Sequence, residues 1–395
     1  MAFRFFMFLV HKFCALNPHH QHLFAMKMKT TIYLLAFIFL SYFATAQSPE
    51  ISKVEPSNWW IGMQNPEVQI MVHGKDIGKA TVSAKYKKVK ITKVEKAESP
   101  NYLFVTLAIS DKASAGKVPL TFTIGDKSTT YEYEIQARST DAKRIQGFDN
   151  SDIIYLLMPD RFANGDPNND SVDEMLEKAD RKELQSRHGG DIKGISDHLD
   201  YIHDLGATTL WINPLLENNN QAYSYHGYAI TDLYKTDPRF GTNEDYLNLC
   251  NKAQQKDMKV IMDMVFNHIG INHWMMADLP FNDWVHQHEE FTRSNFRATT
   301  IADPYASKYD KDKMLKGWFD TSMPDLNQQN PFVAKYLTQN SIWWIEYLGL
   351  DGIRMDTYPY PYKEFMAEWA KTIMTEYPQF NIVGETWVQE AGIEA

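Results

Sequence analysis

The feature that most constrains this chain of 395 residues is a change of hydrophobic period near residue 138. Before that point apolar residues alternate with polar ones: Val68, Ile70 and Val72; Leu103, Val105, Leu107 and Ile109; Val118, Leu120, Phe122 and Ile124; Tyr131, Tyr133 and Ile135. Turn formers such as His73-Gly74-Lys75-Asp76 and Gly125-Asp126 separate the runs. Alternation of this kind buries one face of a strand and wets the other. Residues 48–137 therefore read as a β-sandwich, Ig-like in size. A carbohydrate-binding or dimerising module and a plain packing domain fit it equally well. Trp59 and Trp60 are large enough to form a sugar platform, although a buried pair is the favoured reading.

A polar linker, residues 138–150, follows, and the pattern then becomes continuous apolar runs alternating with helical stretches. The runs are Ile153–Met158, Ala207–Ile212, Lys259–Val265, Gly349–Asp356 and Phe380–Glu385. Helix is expected near Ile195–Leu205, Glu244–Lys256, Pro331–Leu348 and Tyr362–Tyr377. Strands buried on both faces and joined by helices give a parallel β/α architecture, placed here at residues 151–395. The stretch at about 267–330 is too long for an ordinary loop and reads as an inserted subdomain after the third strand. The fold class expected is thus an N-terminal Ig-like β-sandwich followed by a (β/α)8 TIM barrel, of which about five strands are present.

Charge narrows the partners. The formal net charge of −10 is spread along the chain, whereas nucleic-acid or anionic-membrane binding needs a basic face. Two cysteines, Cys14 and Cys250, form no disulfide framework, and Cys250 reads as a buried apolar residue. Residues 26–46 carry two lysines, an apolar run from Ile32 to Phe43 and Ala44-Thr45-Ala46. This is a signal-peptide pattern too short to span a membrane, so secretion to a periplasmic or extracellular destination is expected. Residues 1–25 read as a spurious extension ahead of a start at Met26 or Met28. Their His19, His20 and His22 define no metal site.

Polar residues end every strand of the second region: Asp160 and Arg161; Asn213; Asp263, Asn267 and His268; Arg354 and Asp356; Glu385. In a β/α barrel that edge carries the active site. Arg354 and Asp356, two apart on one strand, face the barrel together. A buried charge is expensive unless paired or facing a wet pocket.

These residues carry a family resemblance. Asp263-Met264-Val265-Phe266-Asn267-His268, Gly352-Ile353-Arg354-Met355-Asp356 and Gly384-Glu385-Thr386-Trp387 resemble three ordered segments of the α-amylase family of glycoside hydrolases. Tyr225-His226-Gly227-Tyr228 with Thr231-Asp232, and Met323-Pro324-Asp325-Leu326-Asn327, resemble its neopullulanase, cyclomaltodextrinase and maltogenic amylase branch. The resemblance implies a retaining glycosidase acting on α-1,4 bonds of maltodextrins, cyclomaltodextrins, starch or pullulan. Asp356 would be the nucleophile and Glu385 the general acid/base, about 5 to 5.5 Å apart. Glu385 would need a raised pKa, and Arg354 would keep Asp356 ionised. His226, His268 and Arg354 would contact the sugar, with Tyr228 stacked on it. A homodimer through the N-terminal domain is allowed by resemblance only.

A second cluster, Asn164-Gly165-Asp166-Pro167-Asn168-Asn169-Asp170 with Gly189-Gly190-Asp191, offers several oxygens on a tight loop, as a hard cation requires. It resembles the calcium loop of the same branch, with Asn164, Asp166, Asn169, Asp170, the Gly189 carbonyl and Asp191 as ligands of a structural Ca2+. The competing reading is a solvated loop of Asx turns. Trp274, Trp284, Trp318 and Phe319 are subsite candidates, with core packing the commoner role. His286-x-His288 lacks the further ligands of a metal site.

Five strands against the eight of a closed barrel, and the lack after Glu385 of the family's third carboxylate in a His-Asp pair, lead to the expectation of a C-terminally truncated gene product. Open parallel edges would forfeit tens of kcal/mol of burial at about 25 cal/mol per Å2. The chain as written is then expected neither to fold stably nor to hydrolyse starch. The alternative function is an inactive fragment or a non-catalytic α-glucan-binding protein, against which intact Asp356 and Glu385 argue. Sucrose or trehalose isomerisation is disfavoured by the Met323–Asn327 segment.

Overall fold

A computed structural model of the protein describes residues 48–388; the N-terminal extension, the signal-like segment and residues 389–395 lie outside the described residues. Eight strands open the described chain: β1 (Lys53–Glu55), β2 (Asn58–Ile61), β3 (Glu67–His73), β4 (Thr81–Ala84), β5 (Val89–Lys96), β6 (Tyr102–Ile109), β7 (Gly116–Ile124) and β8 (Lys127–Ala137). They form two four-stranded sheets, ordered β1-β3-β6-β5 and β2-β8-β7-β4. The period-two residues behave as the alternation dictates: β3 pairs antiparallel with β6, Ile70 opposite Val105. Val68, Ile70, Val72, Leu103, Val105, Leu107, Val118, Leu120, Phe122, Tyr133 and Ile135 are all buried. Trp59 and Trp60 are buried as well, so neither offers a ring face to a sugar.

β3 is buried on its second face too, because the helix Pro331–Leu348 covers it. The Gln339 side chain there accepts from Gln69 N at 2.8 Å and donates to Gln69 O at 2.7 Å, so the backbone groups of Gln69 are satisfied by a helix. Pro49–Phe122 and the chain from Thr129 onward accordingly belong to one compact unit.

The second region is a parallel sheet ordered β15-β14-β13-β10-β9. Its strands are β9 (Ile154–Leu157), β10 (Thr209–Ile212), β13 (Lys259–Met264), β14 (Gly352–Met355) and β15 (Asn381–Gly384), while β11 (Leu216–Glu217) and β12 (Asp232–Thr236) make a separate hairpin. Helices start where the sequence supplies caps. Thr242 and Asp245 close a capping box on Asn243–Gln255. Asn330 caps Pro331–Leu348 with Pro331 at the first turn, and Gly349 ends it at φ 70°. A Cβ at Gly349 would lie 2.4 Å from the Arg144 guanidinium, so glycine is required there. The helix expected near Ile195–Leu205 is instead two pieces, Ile192–Asp197 and Leu199–Asp204, because His198 leaves helical geometry and its Nδ1 closes on Gly194 O at 2.8 Å.

The segment 138–150 is firmly held. Arg138 pairs with Glu346 at 2.6 Å and Glu376 at 2.7 Å, Arg144 donates to Glu346 O, and Gln146 N donates to Asp351 Oδ1. In the insertion, Ser322–Asn327 runs between two extended neighbours. Leu326 N donates to Asn267 O and Ile269 N to Pro324 O on one side; His286 N donates to Asp325 O and Asn327 N to Trp284 O on the other.

Candidate active site

The parallel register sets Asp263 of β13 beside Arg354 of β14, and the same strand ends bring in Asp356 and Glu385. Arg354 Nη1 donates to Asp263 Oδ1 at 2.8 Å and to Asp356 Oδ1 at 2.9 Å, while Nη2 lies 2.7 Å from Glu385 Oε1. Three carboxylates thus surround one guanidinium, which cannot balance all of them. Burial, reinforced by Asp263 and Glu385 and opposed by Arg354, pushes Asp356 up to about 8. Burial likewise pushes Asp263 up to about 6, against the pull of Arg354. Arg354 pulls Asp356 toward the ionised form, as expected of that neighbour, while desolvation and the two further acids pull the other way. Arg354 itself is held cationic, since its two aspartates overcome the burial that would lower it.

The sugar-facing candidates pack around this centre. The Tyr228 hydroxyl donates to Asp263 Oδ2 at 3.0 Å and receives Asn213 Nδ2 at 3.1 Å; Trp211 Nε1 reaches the same Asp263 oxygen. His226 stacks on Tyr228, with centroids 5.7 Å apart, and its Nδ1 accepts from Tyr228 N at 2.9 Å. That leaves its Nε2–H available to a ligand. His268 is different: Nδ1 accepts from Asn267 Nδ2 and Nε2 donates to Tyr228 O, both at 3.2 Å. Its ring lies against Phe319, 5.0 Å between centroids. Burial lowers His226 to about 4 and His268 to about 3, so both are neutral donors or acceptors at physiological pH.

All six residues singled out for catalysis or sugar contact line one cavity of about 570 Å3, with Arg293, Phe296, Phe319, Met323, Thr357, Tyr360 and Trp387. Trp274, Trp284 and Trp318 are not among them. Arg293, Phe296, Thr357 and Tyr360 escaped the sequence reading. The Tyr358-Pro359-Tyr360 run so soon after Asp356 was a usable signal for Tyr360; nothing periodic marks Arg293 or Phe296. A larger cavity, about 810 Å3, lies among β2, Pro331–Leu348 and Lys363–Glu376, but the strand-end carboxylates do not open into it.

The Asn164–Asp170 loop folds against Asp191. Asp191 caps the Ile192–Asp197 helix by accepting from Gly194 N, and accepts further from Gly165 N and Asp166 N. Asp166 Oδ1 is engaged by Asn168. These two carboxylates hold the loop. The Oδ1 atoms of Asn164 and Asn169 are buried with no hydrogen-bond partner, and a Cβ on Gly189 would lie 2.5 Å from Asp170 Oδ1. Asp170 Oδ1 is engaged in the same way, by Asn164 Nδ2 at 2.6 Å, so the oxygens of Asn164, Asp166, Asn169, Asp170 and Asp191 lie on one folded loop, a donor set of the kind a hard cation takes. No cluster of three His, Cys, Asp or Glu residues with metal-binding geometry occurs among the described residues, nor does any helix long and apolar enough to cross a membrane.

Residues 156–393 match the family model described as the alpha amylase catalytic domain, and residues 53–139 match the cyclomaltodextrinase N-terminal domain. Neopullulanase 2 of Thermoactinomyces vulgaris is 31% identical over 61% of this chain and 39% of its own. Intracellular maltogenic amylase of Bacillus subtilis is 31% identical over 60% and 38%. Among solved structures, an Anoxybacillus alpha-amylase is similar with a TM-score of 0.51 at 37% identity, covering 60% of this chain and 47% of that one. The alpha-amylase of Geobacillus thermoleovorans, solved with acarbose, gives 0.50 at 34%, covering 62% and 48%. The chain spans well under half the length of the curated relatives it matches.

Proposed function

The chain belongs to the α-amylase family, and we propose that the protein carrying it is a retaining glycoside hydrolase cleaving α-1,4-glucosidic bonds in maltodextrins, cyclomaltodextrins, starch or pullulan. The observation that carries this reading is the convergence of Asp263, Asp356 and Glu385 on Arg354 in a cavity walled by aromatic rings. The Asp356 carboxylate attacks the anomeric carbon while the glycosidic oxygen leaves with the Glu385 proton. Glu385 then takes a proton from water, whose oxygen attacks the same carbon and releases Asp356. Glu385 gives up one proton in the first step and recovers one from water in the second, so the exchange consumes no net proton; a sugar that displaces Glu385 from the guanidinium leaves Arg354 to Asp356 and Asp263. His226 Nε2–H and the Tyr228 ring hold the sugar.

The finer architecture belongs to the same proposal: an Ig-like sandwich for residues 48–137 and a (β/α)8 barrel built on the parallel sheet. So does a structural Ca2+ held by Asn164, Asp166, Asn169, Asp170, the Gly189 carbonyl and Asp191, which would rigidify the loop after β9 and take no part in the bond cleavage. Secretion directed by residues 26–46 and a homodimer through the N-terminal domain complete it.

The test is to incubate the purified protein carrying this sequence with maltoheptaose, γ-cyclodextrin and pullulan and to follow the first anomer by NMR. Initial α-product from the wild type and none from Asp356→Asn supports the reading. A first product in the β form, or turnover surviving in Asp356→Asn, overturns it.

A further inference from the structure

The loop from Asp356 to Tyr362 touches both candidate acids. Thr357 N donates to Glu385 Oε2 at 3.1 Å, its Oγ1 donates to Asp356 Oδ2 at 3.1 Å, and Tyr358 N donates to Glu385 O at 3.0 Å. Thr357 adopts φ 46°, a left-handed conformation that a β-branched residue keeps only when its surroundings enforce it. Tyr360, three residues on, forms part of the cavity wall.

The far end of the loop is tied to the insertion through side chains that the proposed chemistry leaves unused. The Tyr362 hydroxyl is 3.2 Å from His286 Nε2, and His286 Nδ1 is 2.7 Å from Asp325 Oδ2. Asp325 is buried, and burial raises its carboxyl well above the ordinary aspartate value, so Asp325 Oδ2 and His286 Nδ1 share one proton, and this pair fixes the imidazole with Nε2 against the tyrosine hydroxyl. The Asp325 backbone is fixed from both sides, bridging to His268 and accepting from His286 N. The loop that orients Asp356 and Glu385 is thereby anchored to the segment that carries His268.

We propose that Tyr362, His286 and Asp325 form a positioning latch that holds the Thr357–Tyr362 loop, and with it the two acids, in reacting geometry. They are positioning residues, acting through Thr357 and Tyr358, and the proposal rests on the assignment of Asp356 and Glu385 above. The opposing possibility is a satisfied polar triad that contributes stability alone.

Tyr362→Phe deletes one hydroxyl and separates the two. A displaced catalytic group lowers turnover steeply, so kcat on maltoheptaose is expected to fall about tenfold with KM within about twofold. Asp325→Ala should fall to the same level. Asp325→Asn, whose Oδ1 still accepts from Nδ1, should recover most of the rate. The double variant Tyr362→Phe with Asp325→Ala should be no slower than Asp325→Ala, since one latch can be opened only once. Hydrogen exchange at the Tyr358 amide, measured without substrate, should quicken in Tyr362→Phe. Unchanged kcat, multiplicative losses in the double variant, or unchanged exchange at Tyr358 would overturn the latch. Asp356→Asn serves as the blank: a wild type no faster than that blank removes the proposed activity, and exchange at Tyr358 then decides the latch alone.

Discussion

Glu385 is joined to Arg354, Oε1 to Nη2 at 2.7 Å. The oxygen that faces the guanidinium cannot at the same time reach a glycosidic oxygen, so the pair must open as a sugar enters. Glu385→Gln is expected to lower kcat on maltoheptaose roughly 100- to 10,000-fold, the usual range for a lost general acid. On a glucosyl fluoride, whose leaving group needs no proton, the loss should be far smaller in the first step. Equal losses on both substrates would remove Glu385 from that role.

Asp356 links the site to stability. Its carboxyl is raised by burial, with Asp263 and Glu385 adding to it, to about 8, against about 3.9 for a free aspartate. Between those values the native state holds more protons than the unfolded one, so the contribution is complete below about pH 4 and is lost as pH rises through about 8. Asp356→Asn should abolish turnover yet gain stability over the wild type as pH rises, by at most about 1.4 kcal/mol per pH unit. Urea midpoints at pH 5, 6.5 and 8 provide the check; parallel curves would contradict the buried, protonated aspartate.

Arg354 holds the three acids together. Arg354→Ala leaves the buried Asp263 and Asp356 without their cation, which should cost about 3–5 kcal/mol at pH 7. The deficit should shrink at pH 5, where protonation relieves the repulsion. A pH-independent deficit measured by chemical denaturation would point to lost packing against the Trp211 and Tyr228 rings, which the guanidinium faces at 5.3 and 5.7 Å.

Calcium should raise the melting temperature of the protein, since a ligand at 100 times its Kd adds about 2.7 kcal/mol. Asn164→Ala and Asp170→Ala should cancel that increment. Asp191→Ala should lower the melting temperature even without calcium, because it removes the cap that Gly194 N uses. A calcium response unchanged in Asn164→Ala and Asp170→Ala would place the ion elsewhere.

Much of this was legible in the amino-acid order. Pro331–Leu348 matches the expected span because Asn330, Pro331 and Gly349 mark both ends chemically. The acids and Arg354 could be found because parallel strands place their C-terminal residues on one edge. What escaped shares one property, distance along the chain. His286 meets Asp325 39 residues away, and Lys53 pairs with Asp232 179 residues away. No period carries such contacts; only the packed fold creates them. The charge balance around Asp356 was only half legible for a related reason: the sequence exhibits its neighbour Arg354 but conceals that Asp263 and Glu385 claim the same guanidinium.

Arg138 closes the N-terminal domain and at the same time neutralises Glu346 and Glu376, both buried, on the two long helices of the second region. Genetic exchange that replaced everything before residue 139 with an unrelated module would strand those two glutamates in the interior. A recombination point at this boundary should therefore be tolerated only when the incoming module brings its own cation to the same place. A library of chimaeras cut here should retain, among its soluble members, those with arginine or lysine at the junction.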